Sequence, residues 1–216
     1  MKTRATVLFT LMVILFSGCV VKSLHQFYQE EDVIYDETLL GSWIDGDSAR
    51  WVIKQYTFSK GFMKDDSTDN SYLVELYEDD HEPQKFNAHL FKLDGYLYFD
   101  FKPVRDDRDE GFIDLHLISA HSLGLVEISD QDNISIGWFE EEWLGKLFEE
   151  NRVKISHEVI NGATGDYGKE YVLTASTDEL QKFISKYGKP DENELCKEDE
   201  NVLCVQLTRD VQINDE

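Results

Sequence analysis

Basic residues and proline are scarce in this chain of 216 residues. It has 21 Lys and Arg against 44 Asp and Glu, which gives a formal net charge of −23. Such an acidic surface is repelled by phosphate and by anionic headgroups, so the composition argues against nucleic-acid binding. There are only 3 Pro and no internal repeat or Pro-rich linker. A single folded domain is therefore the economical interpretation.

Catalytic and cofactor motifs are also missing from the sequence. There is no Gly-x-Ser-x-Gly elbow, no phosphate-binding glycine loop, no H-E-x-x-H pair and no C-x-x-C redox centre. The acidic runs at 106–110 and 191–200 do not match the calcium-loop pattern. In so acidic a chain, no two carboxylates stand out as a glycosidase pair. We therefore expect no cofactor and no resident metal, and a function that depends on binding and not on catalysis.

The N-terminal residues are the most informative motif that is present. Two basic residues precede an apolar run at 5–16, and Ser17 and Gly18 stand directly before Cys19. This is the pattern of a bacterial lipoprotein signal peptide, in which the chain is cleaved before the cysteine and the thiol is acylated. The apolar run is shorter than the roughly 20 residues that a membrane-spanning helix needs.

Processing at this site would leave a lipid-anchored protein in the cell envelope. We predict residues 1–18 as the signal peptide, 19–28 as the lipidated cysteine and a short tether, and 29–216 as one β-rich domain with an acidic C-terminal segment. The signal carries two basic residues and no acidic one, so its removal moves the net charge from −23 to −25. No Asp follows Cys19, which favours the outer membrane in a Gram-negative host. The lipid, and not the acidic body, is expected to hold the protein at the membrane.

Two further cysteines, Cys196 and Cys204, lie near the C-terminus. The oxidising envelope allows a disulfide between them, which would stabilise the fold by about 2–3 kcal/mol; two free thiols are the alternative. Their spacing, with no histidine nearby, does not fit a zinc site.

Alternating apolar residues predict strands at 40–45, 50–58, 72–78, 85–93, 96–101, 112–118, 122–128, 134–139, 155–159 and 171–174. Asp94-Gly95 predicts a type I′ hairpin turn, because both residues tolerate positive φ. Helices are predicted at 140–149 and after a capping box formed by Ser176 and Glu179. The expected fold is mainly β (β-rich α+β), an antiparallel β-barrel or a strongly curved sheet with two short helices.

Gly41-Ser42-Trp43, at the start of the first predicted strand, resembles the Gly-x-Trp motif of lipocalins, whose indole closes one end of the barrel. Asp166-Tyr167 with Tyr171 is similar to the second lipocalin motif, with one extra residue in the spacing. More broadly, most of the mature chain resembles a group of uncharacterised bacterial lipoproteins, from Tyr28 through Leu39-Leu40-Gly41-Ser42-Trp43, Asn87-Ala88-His89-Leu90-Phe91 and Leu173-Thr174-Ala175-Ser176-Thr177. The resemblance implies a lipocalin-like barrel and an envelope location, and it implies no established activity.

A barrel of this kind leads to two binding hypotheses. The first is a small apolar ligand in the interior, with four aromatic residues on predicted strands as candidate lining: Trp51, Phe91, Phe99 and Trp138. The second is an interior filled by side chains, with an acidic exterior that binds a basic protein partner. The first is the preferred interpretation of the sequence.

A third hypothesis is a metal-dependent hydrolase that uses histidines. His89, His116 and His121 lie on or beside predicted strands, and three imidazoles could hold a zinc ion. By strand alternation, however, His116 and His121 need not lie on the same face of the sheet. Local hydrogen bonding or surface exposure is the more usual role of such histidines.

Overall fold

The computed structural model describes residues 20–59, 66–78, 81–104, 116–161, 169–189, 195–196 and 202–210. The strands are β1 (Lys22–Ser23), β2 (Gly41–Ile44), β3 (Arg50–Ser59), β4 (Asp66–Tyr77), β5 (Gln84–Leu93), β6 (Tyr96–Pro103), β7 (His121–Ile128), β8 (Asn133–Phe139), β9 (His157–Asn161), β10 (Lys169–Leu173) and β11 (Val202–Arg209). The α-helices are α1 (Glu141–Glu149) and α2 (Thr177–Tyr187), and short 3-10 helices lie at Glu30–Asp32 and Glu37–Leu39.

Eight of these strands close an antiparallel barrel. Each strand from β2 to β8 pairs with the next one along the chain, and β11 closes the barrel between β8 and β2. The turn between β5 and β6 has positive φ at both Asp94 (51°) and Gly95 (91°), as a type I′ turn requires. The fold is therefore mainly β, and of the two predicted forms the barrel is the one that occurs.

Three strands extend the sheet beyond the barrel. β1 pairs antiparallel with the first residues of β7 and parallel with β10, and β10 pairs antiparallel with β9. Residues 20–28 were predicted to be a tether that precedes the fold. The structure corrects this, because Lys22 and Ser23 are part of the sheet and the residues around them bond to the barrel.

The strands bury apolar side chains on both faces. The interior cluster contains residues from all eight barrel strands, among them Trp43, Ile53, Val74, Leu90, Ile136 and Leu207. The outer cluster lies between the outside of β5 to β8 and the two helices, and includes Tyr98, Leu125, Phe139, Leu144, Leu180 and Phe183. A strand covered on both faces carries apolar residues without strict alternation, which explains the dense aromatic runs of the sequence.

Both helices pack against the outer cluster through one apolar face. In α2, Glu179 accepts hydrogen bonds from the backbone nitrogen (3.1 Å) and the hydroxyl (2.9 Å) of Ser176, which confirms the predicted capping box. Leu180, Phe183 and Ile184 are its buried residues. Within the described residues, no helix is long and apolar enough to span a membrane.

The structure differs from the predicted strands mainly in the second half of the chain. Of the predicted strand at 112–118, only 116–118 are described, and they begin with a single 3-10 residue and continue without strand structure. β11 was not predicted at all, and both helices precede it in the chain. Cys19 and Asp166-Tyr167 lie outside the described residues.

Candidate functional site

The barrel interior is the first candidate site, and a chain of aromatic rings crosses it. Tyr72 on β4 contacts Phe99 on β6, with ring centroids 5.7 Å apart, and Phe99 contacts Phe101 at 5.2 Å. Phe101 contacts Trp138 on β8 at 5.3 Å, and Trp138 contacts Trp51 on β3 at 6.2 Å. These separations are normal for favourable aromatic pairs. The rings therefore form a continuous series of contacts that joins β3, β4, β6 and β8 inside the barrel.

Gly124 on β7 shows how tightly this part of the interior is packed. A β-carbon added there would lie 2.9 Å from Ile136, 3.2 Å from Phe101 and 3.5 Å from Trp138. Even a methyl group would force its neighbours to move. The glycine therefore allows the aromatic rings to reach the backbone of β7.

Three of the four candidate lining residues face this interior. Trp51, Phe99 and Trp138 belong to the interior cluster, with 7%, 1% and 9% of their surface exposed. Phe91 does not: it lies in the outer cluster and stacks on Tyr98 at 5.4 Å. Its assignment as a lining residue was wrong, because β5 turns Ala88 and Leu90 inward, and the chain alternates between the two faces.

One segment of the barrel wall is supplied by residues that precede β2. The pairing of β4 with β5 runs from Leu76 opposite Gln84 to Tyr72 opposite Ala88. Farther along β5, Val33 forms a bridge with Phe91, and Ile34 donates to the carbonyl of Leu90 (2.9 Å). We call residues 33–36 the strap.

The strap contacts Tyr72, inside the barrel, through a ring stack and a hydrogen bond. The ring of Tyr35 stacks on that of Tyr72 at 5.0 Å, and the Tyr72 hydroxyl accepts a hydrogen bond from the backbone nitrogen of Asp36 (2.7 Å). Burial, with the nearby Tyr35 and Asp36, raises the pKa of Tyr72 to about 12, although the hydrogen bond from Asp36 acts in the opposite direction. Tyr72 therefore stays neutral, and its hydroxyl remains available to the strap.

The other end of the strap leads into a closed end of the barrel. The indole nitrogen of Trp43 donates to the carbonyl of Leu39 (3.0 Å), in the 3-10 helix that enters β2. The guanidinium of Arg209, at the end of β11, lies 4.1 Å from the centre of the Trp43 ring. Gly41 has a φ of +131°, and a β-carbon there would lie 3.0 Å from Arg209 Nη1. The Gly-x-Trp spacing thus permits both the turn into β2 and the approach of Arg209.

Arg209 joins three parts of the chain at this end. Its guanidinium donates to the carbonyls of Thr38 (2.7 Å), Leu40 (3.1 Å) and Gln131 (2.8 Å) and contacts Asp132 (3.2 Å). No sequence motif marks this residue. The alternation of Val205 and Leu207 ahead of it was the signal that could have revealed β11, since both side chains pack toward the interior cluster.

The histidines form a second candidate site, on the outside of the barrel. Asp100 is almost fully buried; its Oδ1 lies 2.6 Å from His121 Nδ1, and its Oδ2 accepts a hydrogen bond from the backbone nitrogen of Phe27 (2.7 Å). His89 lies opposite Asp100 in the sheet and stacks on Tyr28 at 4.4 Å. This network attaches the N-terminal residues to the barrel.

These contacts do not assemble the predicted three-histidine site. His116 is exposed in the segment before β7, whereas His121 is buried against Asp100. Among the residues that the structure describes, no group of three His, Cys, Asp or Glu side chains is arranged to hold a metal ion.

The cysteine pair lies against the outer side of the barrel. Cys196 and Cys204 form a disulfide, with their α-carbons 5.5 Å apart, so the turn at Leu195-Cys196 is joined to β11. Leu195 packs over Gly137, where an added β-carbon would lie 2.9 Å from it. The bond thus fixes a hydrophobic contact on β8.

Comparisons of the chain with family models, with curated proteins and with solved structures found no match.

Proposed function

We propose that the mature chain is a lipid-anchored domain of the bacterial envelope that acts by binding, through the outer surface of a filled β-barrel, to a protein with a basic surface. The chain of five rings from Tyr72 to Trp51 carries this proposal, because side chains occupy the space in which a barrel would otherwise hold a ligand. The excess of acidic residues supplies the complementary charge for a basic partner. The lipid at Cys19 rests on the signal motif.

The test of this function is partner capture at two ionic strengths. The full processed protein is immobilised and exposed to envelope extract, and bound proteins are eluted and identified. A basic partner that is retained at low salt and lost at high salt is the expected result, because screening weakens interactions between surface charges. Retention that does not change with salt would contradict an acidic binding surface.

A second candidate function, binding of a small apolar molecule in the barrel, is supported by the strap. Residues 33–36 lie beside β5 over part of the barrel wall, and they contact the interior through the rings of Tyr35 and Tyr72. If the strap left this position, Leu90 and Tyr72 would become accessible from the side. This would give an apolar ligand a route to residues that are otherwise buried.

Two variants separate the filled barrel from the ligand carrier. Phe101→Leu replaces one of the five interior aromatic rings with a smaller side chain. Tyr72→Phe removes the hydroxyl that bonds to the strap. With a filled barrel, the natural protein and Tyr72→Phe show no saturable binding of fatty acids or a hydrophobic dye, while Phe101→Leu gains weak binding because it creates space. Saturable binding by the natural protein, increased by Tyr72→Phe, would favour the carrier.

A further inference from the structure

The described chain joins the sheet immediately after Cys19. Val20 forms an antiparallel bridge with Glu140, and the nitrogen of Val21 donates to the carbonyl of Phe139 (2.9 Å). Lys22 and Ser23 then pair with both β7 and β10. A lipid on Cys19 would therefore be attached about 3.8 Å, one residue, from a backbone position fixed in the sheet. An anchor without a spacer restricts how the barrel can be oriented at the membrane.

Three exposed apolar side chains lie near the β1–β7 pairing, through which the chain that follows Cys19 joins the sheet. Leu24, directly after β1, is 42% exposed, and Leu117 and Ile118, shortly before β7, are 55% and 79% exposed. Ser23 lies opposite His121 in this antiparallel pair. Leu24 and the residues that precede His121 therefore extend beyond the same end of the β1–β7 pairing. Leu24 is five residues from Cys19, which corresponds to about 17 Å of extended chain. The three side chains therefore lie at the same end of the β1–β7 pairing, and Leu24 is within this chain length of Cys19.

The closed end of the barrel lies away from this point. β8 runs from Asn133, beside the Asp132 that contacts Arg209, to Phe139, which bonds to Val21. Its seven residues span about 20 Å. The Trp43–Arg209 end and the start of β1 are therefore at opposite ends of one strand.

We propose that Leu24, Leu117 and Ile118 rest on the phospholipid surface that holds the lipid of Cys19, and that this contact directs the Trp43–Arg209 end of the barrel away from the membrane. The proposal rests on the lipid anchor of the proposed function and adds an orientation to it. Three side chains are too few to bind a bilayer, and the acidic body is repelled by anionic headgroups. The lipid supplies the affinity, and the apolar contact selects the orientation in which the partner-binding surface is presented.

The experiment uses the full processed and lipidated protein in vesicles of phosphatidylethanolamine with a minor fraction of phosphatidylglycerol. A nitroxide label is attached to Ile118→Cys or, as a matched control, to Tyr96→Cys. Tyr96 is also an exposed apolar residue, at 36%, but lies at the β5–β6 turn. Flotation of the protein with the vesicles and its acylated mass are measured on the same samples. The collision rate of each label is then measured with oxygen, which partitions into lipid, and with a water-soluble nickel complex.

We expect both variants to float and the label at 118 to show a several-fold higher ratio of oxygen to nickel collisions than the label at 96. Flotation with equal ratios at the two positions would overturn the proposed contact and leave the anchor intact. A protein that lacks the acyl mass and does not float would overturn the anchor, and the contact with it.

Discussion

Gly124 tests whether the interior is filled. A methyl group at this position would lie closer to Ile136 and Phe101 than packed carbon atoms normally approach. We expect Gly124→Ala to lower the free energy of unfolding by about 1–3 kcal/mol, as overpacking of a core does. Chemical denaturation measures the change, and Gly46→Ala is the control because nothing lies within 4 Å of its added carbon. Equal stability of the two variants would mean that the barrel has free space at Gly124.

Glu75, on β4, links stability to pH. Burial alone would raise the pKa of this carboxyl, but hydrogen bonds from Lys54 and Tyr77 and the charges of Lys54 and Lys85 bring it below its ordinary value. A lowered folded-state pKa means that Glu75 stabilises the fold above the ordinary glutamate pKa, and that this stabilisation is lost as the pH falls through the folded-state value.

We therefore expect Glu75→Gln to be less stable than the natural protein at neutral pH and to lose less stability on acidification. Unfolding free energies measured from pH 7 downward give the comparison. Glu82→Gln, at an exposed residue in the β4–β5 connection, is the control. Parallel pH profiles for Glu75→Gln and the natural protein would show that the Lys54 and Tyr77 contacts do not stabilise the ionised carboxyl.

The attachment of the N-terminal residues to the barrel depends on one buried carboxylate. Asp100 accepts the backbone hydrogen of Phe27 at one oxygen and contacts His121 at the other. Asp100→Ala removes both oxygens, so the backbone nitrogen of Phe27 loses its acceptor. We expect faster amide hydrogen exchange at Phe27 and Tyr28, measured by mass spectrometry. Asp47→Ala, at an exposed position of the β2–β3 turn, should leave exchange at these amides unchanged.

Arg209 holds β11, the 3-10 helix before β2 and the β7–β8 turn together. A lysine can keep the charge but cannot reproduce the planar set of donors or the stacking on Trp43. We expect Arg209→Lys to lower stability by about 2 kcal/mol. Arg152→Lys is the matched control, since the exposed guanidinium of Arg152 pairs with Glu150 at the surface. Its cost should be below about 0.5 kcal/mol.

Local patterns were sufficient to predict the hairpins and α2. The turn at Asp94-Gly95 follows from the backbone preferences of these two residues alone. The Ser176–Glu179 capping box lies within one helical turn. β11 was missed because its pairing partners, β8 and β2, are far away in the chain. The short apolar alternation of β11 follows an acidic run. It forms a strand because pairing with β8 and β2 closes the barrel.

The candidate site was predicted less well for a related reason. Alternation along β5 separates Ala88 and Leu90 from Phe91 but does not state which set is inside the barrel. Both sets contain large apolar residues, since the outer cluster covers Phe91 and Leu93. Contact between Trp51 and Trp138 depends on how all eight strands curve, so the ring chain that fills the interior could not be predicted from any single segment.

The molecule as a whole carries a charge that opposes its own compactness. At a net charge of −23, the acidic groups repel one another in the folded state more than in the expanded unfolded chain. Local ion pairs such as Lys54–Glu75 act in the opposite direction. Salt weakens both effects, so the sign of the salt dependence shows which one dominates.

We expect repulsion to dominate. Raising the ionic strength from about 0.01 M to 0.1 M shortens the screening length from about 30 Å to about 10 Å, which reduces repulsion across the barrel more than attraction within contact pairs. The melting temperature at pH 7 should therefore rise by roughly 2–4 °C, which corresponds to about 1 kcal/mol. Near the isoelectric point of about 4.5 the same change in salt should have little effect. A melting temperature that falls with salt at pH 7 would show that the ion pairs outweigh the repulsion, and that the acidic surface is already balanced within the fold instead of being available to a basic partner.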